Sequence, residues 1–408
     1  MLVQKRKRHF FLPCLILAVI IVSLLIAPKS SAQFKIKKIE SDLSFFKIER
    51  NKISFNPIFG YNRVQGAIIG LNFSAFLARI WNLELTGQAA YGFKDALRYR
   101  AGIRKSFFQF NPLTFGIAYY DQVSSQDDWY IGYNENSAAA FFLKEDFMDY
   151  HARKGVVAFI DQKINEVHTV RLEVNNYQFE SLSKSTNWAL FGKKKNFREN
   201  SSVVEENVTS LCLLWTLDWR DNPLLPMEGW YIEGKGEQTF GDSADTRGLF
   251  LTVKRFQPTF ASHLMKLKLM IGSRTGCDYR YDQYLMDMGG IGSLVAYKDK
   301  EFRNGNRFFY ATFRYLFNES ILPRLPLNFI PFYDQLTLGV FAETGWLGLT
   351  DENSNLFSDF NSMTLSELKS DVGISLYVTE GLIRFDFAKR TDLSKDAWRI
   401  TFRIMHQF

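Results

Sequence analysis

Cysteine and histidine are scarce in this 408-residue chain, with three of the first and five of the second. Cys14 lies in an N-terminal apolar run, while Cys212 and Cys277 fall in different expected elements. No Cys-x-x-Cys or Cys/His spacing therefore marks a metal site, and an oxidised pair and two free thiols fit the sequence equally. Local signatures of common catalytic sites are also missing: there is no Gly-x-Ser-x-Gly, no His-Glu-x-x-His and no phosphate-cradling glycine loop before a helix. These absences weigh against an enzyme and call for no cofactor, leaving a barrel enzyme with a loop-borne site as a distant alternative. Beyond residue 27 no stretch reaches the roughly 18 consecutive apolar residues that a transmembrane helix needs.

The first residues form a targeting segment. Lys5-Arg6-Lys7-Arg8-His9 is a basic n-region, Phe10 to Ala27 an apolar h-region, and Ser30-Ser31-Ala32 a small-residue cleavage site. The expected division is a signal peptide over 1–32, a brief leader over 33–51 and one further domain over 52–408. An uncleaved anchor is the alternative, because the h-region is long. Cys14 follows Phe11-Leu12-Pro13 rather than small residues, which excludes a lipoprotein signal. Five of the 50 basic residues (Lys5, Arg6, Lys7, Arg8, Lys29) leave with the signal peptide, so 45 basic residues face 43 acidic ones. That balance offers nothing to nucleic acid.

Aromatic residues make up 16% of the chain, yet the mean hydropathy is slightly negative at −0.15. Period-two alternation between turn signals reconciles the two. Candidate strands run over 53–60, 66–76, 83–93, 97–108, 113–123, 155–164, 169–179 and 208–219, then 230–240, 249–260, 264–273, 307–317, 336–347, 371–378, 382–388 and 398–408. The expectation is an all-β, transmembrane antiparallel barrel of sixteen strands with lipid on one face and a lumen on the other. Fourteen is the fallback, since Pro57 interrupts the first strand. The last strand is the clearest: Trp398, Ile400, Phe402, Ile404, His406 and Phe408 alternate with Arg399, Thr401, Arg403, Met405 and Gln407. A soluble sandwich is the competing reading, and it would need a second sheet over that apolar face. Short turns are expected at 109–112, 165–167 and 222–229, and long connections at 127–154, 180–207 and 276–304. Within the first long connection, 137–150 reads as a surface helix with Ser137 as its N-cap. Lys193-Lys194-Lys195 reads as a solvated loop run.

Four stretches stand out in this order. Tyr61-Asn62-Arg63-Val64-Gln65-Gly66 and Leu143-Lys144-Glu145-Asp146-Phe147-Met148-Asp149-Tyr150 come first. Asp218-Trp219-Arg220-Asp221-Asn222-Pro223-Leu224-Leu225-Pro226-Met227-Glu228-Gly229 follows, in which Asn and Asp cap a turn, the prolines stop pairing and Gly229 permits an unusual backbone. Last comes Met288-Gly289-Gly290-Ile291-Gly292-Ser293-Leu294-Val295-Ala296-Tyr297, then Gly305-Asn306 and the alternating run 307–317. Together they resemble the BamA/TamA superfamily of outer-membrane barrels (the bacterial surface antigen family), in a branch without periplasmic modules. The last stretch resembles that family's sixth extracellular loop, which folds back into the lumen. A terminal Phe408 after Phe402 and Ile404 is similar to the C-terminal sorting signal of outer-membrane proteins.

The resemblance implies an outer-membrane location, lipid and client polypeptides as partners, and a role in inserting or passing polypeptides. A plugged pore or structural barrel is the alternative. In the family the loop carries an Arg-Gly pair whose arginine meets acids on the following strands; here Val295 and Ala296 stand in those positions. The acidic position on the next strand aligns with Arg314, and Glu343 survives on the strand after it. By alternation both point inward, so they are expected to pair, the charge having moved from loop to wall. In a wet lumen such a pair contributes only about 0–1 kcal/mol, and two separately solvated charges are the alternative. Arg384 and Asp386 are further inward charges by period.

Overall fold

The computed structural model describes residues 46–48, 53–77, 83–317, 336–378, 383–392, 398–404 and 408. The expected signal peptide, the leader apart from 46–48, and residues 382 and 405–407 of the last two expected strands lie outside them. Sixteen antiparallel strands follow one another around a single sheet. They are β1 (Ile53–Asn62), β2 (Gly66–Leu77), β3 (Leu83–Gly92), β4 (Leu97–Phe107), β5 (Leu113–Ser125), β6 (Tyr150–Lys163), β7 (His168–Ser181) and β8 (Asn207–Arg220). The circuit continues with β9 (Gly229–Gly241), β10 (Asp245–Pro258), β11 (Leu264–Thr275), β12 (Arg307–Leu316), β13 (Leu336–Gly348), β14 (Lys369–Val378), β15 (Ile383–Arg390) and β16 (Arg399–Ile404). Each strand pairs antiparallel with the next in sequence, as in the wall of a barrel; among the described residues no register joins β16 directly to β1.

Each expected strand has its counterpart, and Pro57 is held within β1 opposite Leu71. Alternation sorts the two faces. Leu211, Leu213 and Trp219 on β8, Leu249 and Leu251 on β10, Val372 and Ile374 on β14, and Ile400 and Phe402 on β16 are exposed on the outside. Their neighbours along each strand turn inward, and cross-strand partners such as Thr216, Glu233 and Thr252 share the inner face. An apolar outside with a polar inside is what a wall between lipid and lumen requires. A three-residue strand, Phe46–Ile48, pairs with Ile53–Phe55 at the start of β1.

The longest connections, 126–149, 182–206 and 276–306, all lie at one end of the barrel. The 221–228 turn follows from its sequence: the Asp221 carboxylate accepts the N–H groups of Asn222, Met227 and Glu228, and Asn222 Oδ1 those of Leu224 and Leu225. Asp218 and Arg220 pair at 2.7 Å, and the guanidinium also reaches the Pro223 carbonyl. Gly229 opens β9 with φ 115°, and a Cβ there would lie 1.9 Å from the Trp219 carbonyl oxygen, so no other residue fits.

One expectation fails at the long-loop end. The helix α1 spans Tyr133–Leu143, not 137–150, and is packed against β1 instead of lying on the surface. Its N-cap is Gly132, and Lys144 ends it in the left-handed conformation. The alanines at 138–140 favour the helix. Residues 145–149 are drawn out of it because Asp146 and Asp149 are committed to Arg63, at 3.1 and 2.7 Å. Ser137, expected as a cap, sits inside the helix and accepts the Tyr61 N–H at 2.6 Å.

Candidate functional site in the barrel lumen

The connection between β11 and β12, residues 276–306, folds against the inner face. Met288, Leu294 and Tyr297 are fully buried with Phe308 and Tyr310 of β12. Its turn depends on two glycines: Gly289 and Gly290 have φ 108° and 97°, and a Cβ on Gly290 would meet Asp299 at 2.0 Å. Ser293 is wholly buried, its hydroxyl taking the Gly289 N–H at 3.1 Å. Gly305 lies against Leu347, and Asn306 holds both backbone groups of Thr350, as acceptor at 2.9 Å and donor at 3.0 Å.

The loop is fastened to the wall by its backbone. Val295 N–H donates to Glu343 Oε2 at 3.2 Å, and Ala296 N–H to Asp371 Oδ2 at 2.7 Å. Glu343 and Asp371 are cross-strand partners on β13 and β14. Tyr297 completes the clasp: its hydroxyl donates to the Ser370 carbonyl, and the Arg390 guanidinium lies 4.0 Å over its ring. The wall supplies the cation, Arg314 of β12, whose Nη2 is 2.8 Å from Glu343 Oε1 and whose Nη1 is 3.1 Å from Asp386 Oδ1. Arg384 Nε approaches the other oxygen of Asp386 at 2.8 Å. Ser375 donates to Asp386 and accepts from Arg314.

These groups are not solvated. The side chains of Arg314, Glu343 and Asp386 are 3%, 2% and 0% exposed, which corrects the wet-lumen value expected from sequence. Taking away one partner of such a buried, hydrogen-bonded pair costs about 3–5 kcal/mol, because it strands the other charge.

A second cluster ties this loop to its neighbours. Lys300 Nζ lies 2.6, 2.8 and 3.2 Å from Asp149, Asp127 and Asp287. Asp149 also meets Arg63 at 2.7 Å and Arg198 at 2.5 Å. Burial alone would raise the Asp149 carboxyl, but Lys300, Arg198 and Arg63 outweigh it and hold the group well below the ordinary carboxylate range. The adjacent Asp127, more deeply enclosed, is raised by burial in spite of Lys300. Tyr130 donates to the Gly289 carbonyl and packs against Gly292, locking the glycine turn to the first long connection.

A sixteen-strand barrel whose sixth long-loop connection is turned inward and clasped to the wall is a specific combination. The family model described as Omp85 superfamily domain matches residues 81–408. The chain belongs to the Omp85 superfamily. Members of that superfamily are outer-membrane proteins of Gram-negative bacteria. Among solved structures, BamA from Haemophilus ducreyi lacking POTRA domains 1–3 superposes with a TM-score of 0.55 at 13% identity, covering 87% of this chain and 69% of that one. CdiB from Acinetobacter baumannii and CdiB from Escherichia coli align over 86% of this chain, with TM-scores of 0.40 and 0.39 and identities of 12% and 11%, over 59% and 62% of their own lengths. The likeness to BamA is one of fold. No curated protein sequence matches the chain.

Within this Omp85 barrel, the sequence-derived residues divide into groups. The loop frame, the Arg314–Glu343 pair and the Arg384–Asp386 pair come together at one place; the 218–229 turn is remote, at the short-turn end. Of the terminal residues, Phe402 faces outward, but Phe408 does not continue its face. The Phe408 ring packs 5.8 Å from that of Phe256, on the inner side of β10 next to Lys266. Among the described residues β16 runs from Arg399 to Ile404. Sequence reasoning missed Asp371, although it opens the 371–378 run and alternation alone places it inside; only the register with Glu343 reveals its partner. It also missed Glu135 and Lys300, which find their partners across 268 and 173 residues of chain.

Proposed function

We propose that this barrel inserts or passes polypeptides at the outer membrane, using the junction of β1 and β16 as the place where an incoming strand is templated. A sheet edge with unpaired backbone groups recruits a further strand by main-chain hydrogen bonding. The observation supporting this is the state of that junction. On both edges an N–H is taken by a side chain and withheld from a facing strand: Tyr61 donates to Ser137 and Ile404 to Glu135. The clasped loop keeps a wall around the lumen while the junction is in use.

The clasp favours a second reading, a plugged structural barrel without insertion activity. One experiment separates the two. The purified barrel is reconstituted in liposomes, and the folding rate of a second, urea-denatured barrel protein is followed by heat-modifiable gel migration. Acceleration over protein-free liposomes is expected. Ion conductance without acceleration overturns the insertion reading.

A further inference from the structure

We propose that helix α1 is an internal strap that holds the β1–β16 junction shut, and that it must withdraw before the junction can admit a strand. The inference rests on the reading of that junction as the working edge and adds its regulation.

The helix touches both sides of the junction through residues two apart in sequence. On the β16 side, Glu135 takes Arg403 in a two-pronged pair, Nε to Oε1 at 2.6 Å and Nη2 to Oε2 at 2.8 Å, and also accepts the backbone N–H of Ile404 at 3.0 Å. On the β1 side, Ser137 Oγ accepts the Tyr61 N–H, and Tyr133 lies against Gly60, where a Cβ would meet its hydroxyl oxygen at 2.3 Å. Phe141 and Trp188 enclose the Tyr61 ring with centroids 5.6 and 5.9 Å away. The carboxylate and the hydroxyl thus stand where a paired strand would offer carbonyl oxygens. A helix side chain satisfies an edge N–H as well as a strand does, but without forming a ladder, so the contact can be released at a few points instead of unzipped.

Arg403 links this strap to the lumen loop. Its remaining nitrogen, Nη1, donates to the Ile291 carbonyl at 2.6 Å, inside the glycine turn. Arg403 and Glu135 are both buried, so neither is comfortable alone. Displacing the helix exposes a cation on β16 and one free N–H on each edge at the same moment. An incoming strand with a carboxylate or a C-terminal carboxyl near its end would take over the place of Glu135, which identifies the chemistry of the competitor.

The test uses the full barrel in lipid nanodiscs and hydrogen exchange read by mass spectrometry. In Glu135→Ala/Ser137→Ala, peptides covering 53–62 and 399–404 are expected to exchange about tenfold faster, the scale of losing a hydrogen bond to a charged group. Peptides from β6 to β9 should be unchanged, which rules out general loosening. Glu135→Gln, which keeps an oxygen to accept the Ile404 N–H, should retain part of the protection of 399–404. Unchanged exchange at the junction in the double-alanine variant overturns the strap, and so does exchange of 399–404 in Glu135→Gln as fast as in the double-alanine variant while β6–β9 remain native. The same preparations are assayed for acceleration of client folding. A junction that loosens without any acceleration in wild type or variant sinks the insertion reading and leaves the strap standing; acceleration with unchanged exchange does the reverse.

Discussion

Replacing Val295 by arginine tests whether the positive charge has moved from the loop to the wall. Glu343 serves both: Val295 N–H lies 3.2 Å from Oε2, and Arg314 Nη2 lies 2.8 Å from Oε1. A guanidinium at position 295 would have to share that carboxylate with the one already there. Two such cations about 6 Å apart repel by about 3 kcal/mol at an effective dielectric of about 20. Val295 is also packed with Phe341 and Ala388, where a larger side chain adds about 1–3 kcal/mol of overpacking. Val295→Arg alone should therefore cost about 4–6 kcal/mol. Arg314→Ser alone leaves Glu343 and Asp386 without their shared cation and should cost about 3–5 kcal/mol. Combined, the two restore one cation to the carboxylates, so the double variant should fall short of the sum by about 2–3 kcal/mol. The assay is urea unfolding in lipid vesicles followed by tryptophan fluorescence, with heat-modifiable migration as a check on folding. Additivity within about 0.5 kcal/mol would refute the relocation, because the two positions would then not be competing for the same acid.

Three further outcomes follow from the same contacts. Ala296→Pro deletes the N–H that meets Asp371 at 2.7 Å and should destabilise the loop by about 1.5–3 kcal/mol, seen as faster tryptic cleavage after Lys298, whereas Ala296→Ser keeps the donor and should not. Gly229→Ala forces a Cβ to within 1.9 Å of the Trp219 carbonyl and should lower the yield of folded, heat-modifiable barrel severalfold, while Gly236→Ala, where no atom lies within 4 Å of the added Cβ, should not. Asp149 titrates below its ordinary range, so its contribution is present above the unfolded value of about 3.9 and is lost as pH falls through the lower folded value. Cleavage of the long connections by pepsin should therefore be slow at pH 4 and rise only in stronger acid; in Asp149→Asn it should already be fast at pH 4.

How much of this was legible in the sequence depends on how far apart the interacting residues are. The strands were legible because alternation between lipid and lumen writes itself into every second residue, as in Trp398, Ile400 and Phe402 against Arg399, Thr401 and Arg403. The 218–229 turn was legible because its capping acceptors and its glycine act on their own neighbours. Alternation also put Arg314, Glu343, Arg384 and Asp386 on the inner face, but it does not say how strands are staggered, so Asp371 went unnoticed and the burial of the cluster was underestimated. Helix α1 was misplaced because local capping favoured Ser137, while the deciding contacts come from Arg63, Tyr61 and Arg403, far away in the chain. Extending the period of Trp398, Ile400 and Phe402 puts Phe408 on the outer face, whereas its ring lies against Phe256 on the inner side.

The uneven length of the strand pairings has a mechanical meaning. Nine residue pairs join β4 to β5, against thirteen between β6 and β7 and thirteen between β8 and β9. Hydrogen bonds lying side by side share a load, so a pull across the wall would part β4 from β5 before it opened the long-paired arc from β6 to β9. In a force-extension record the rupture of that arc should be the largest step.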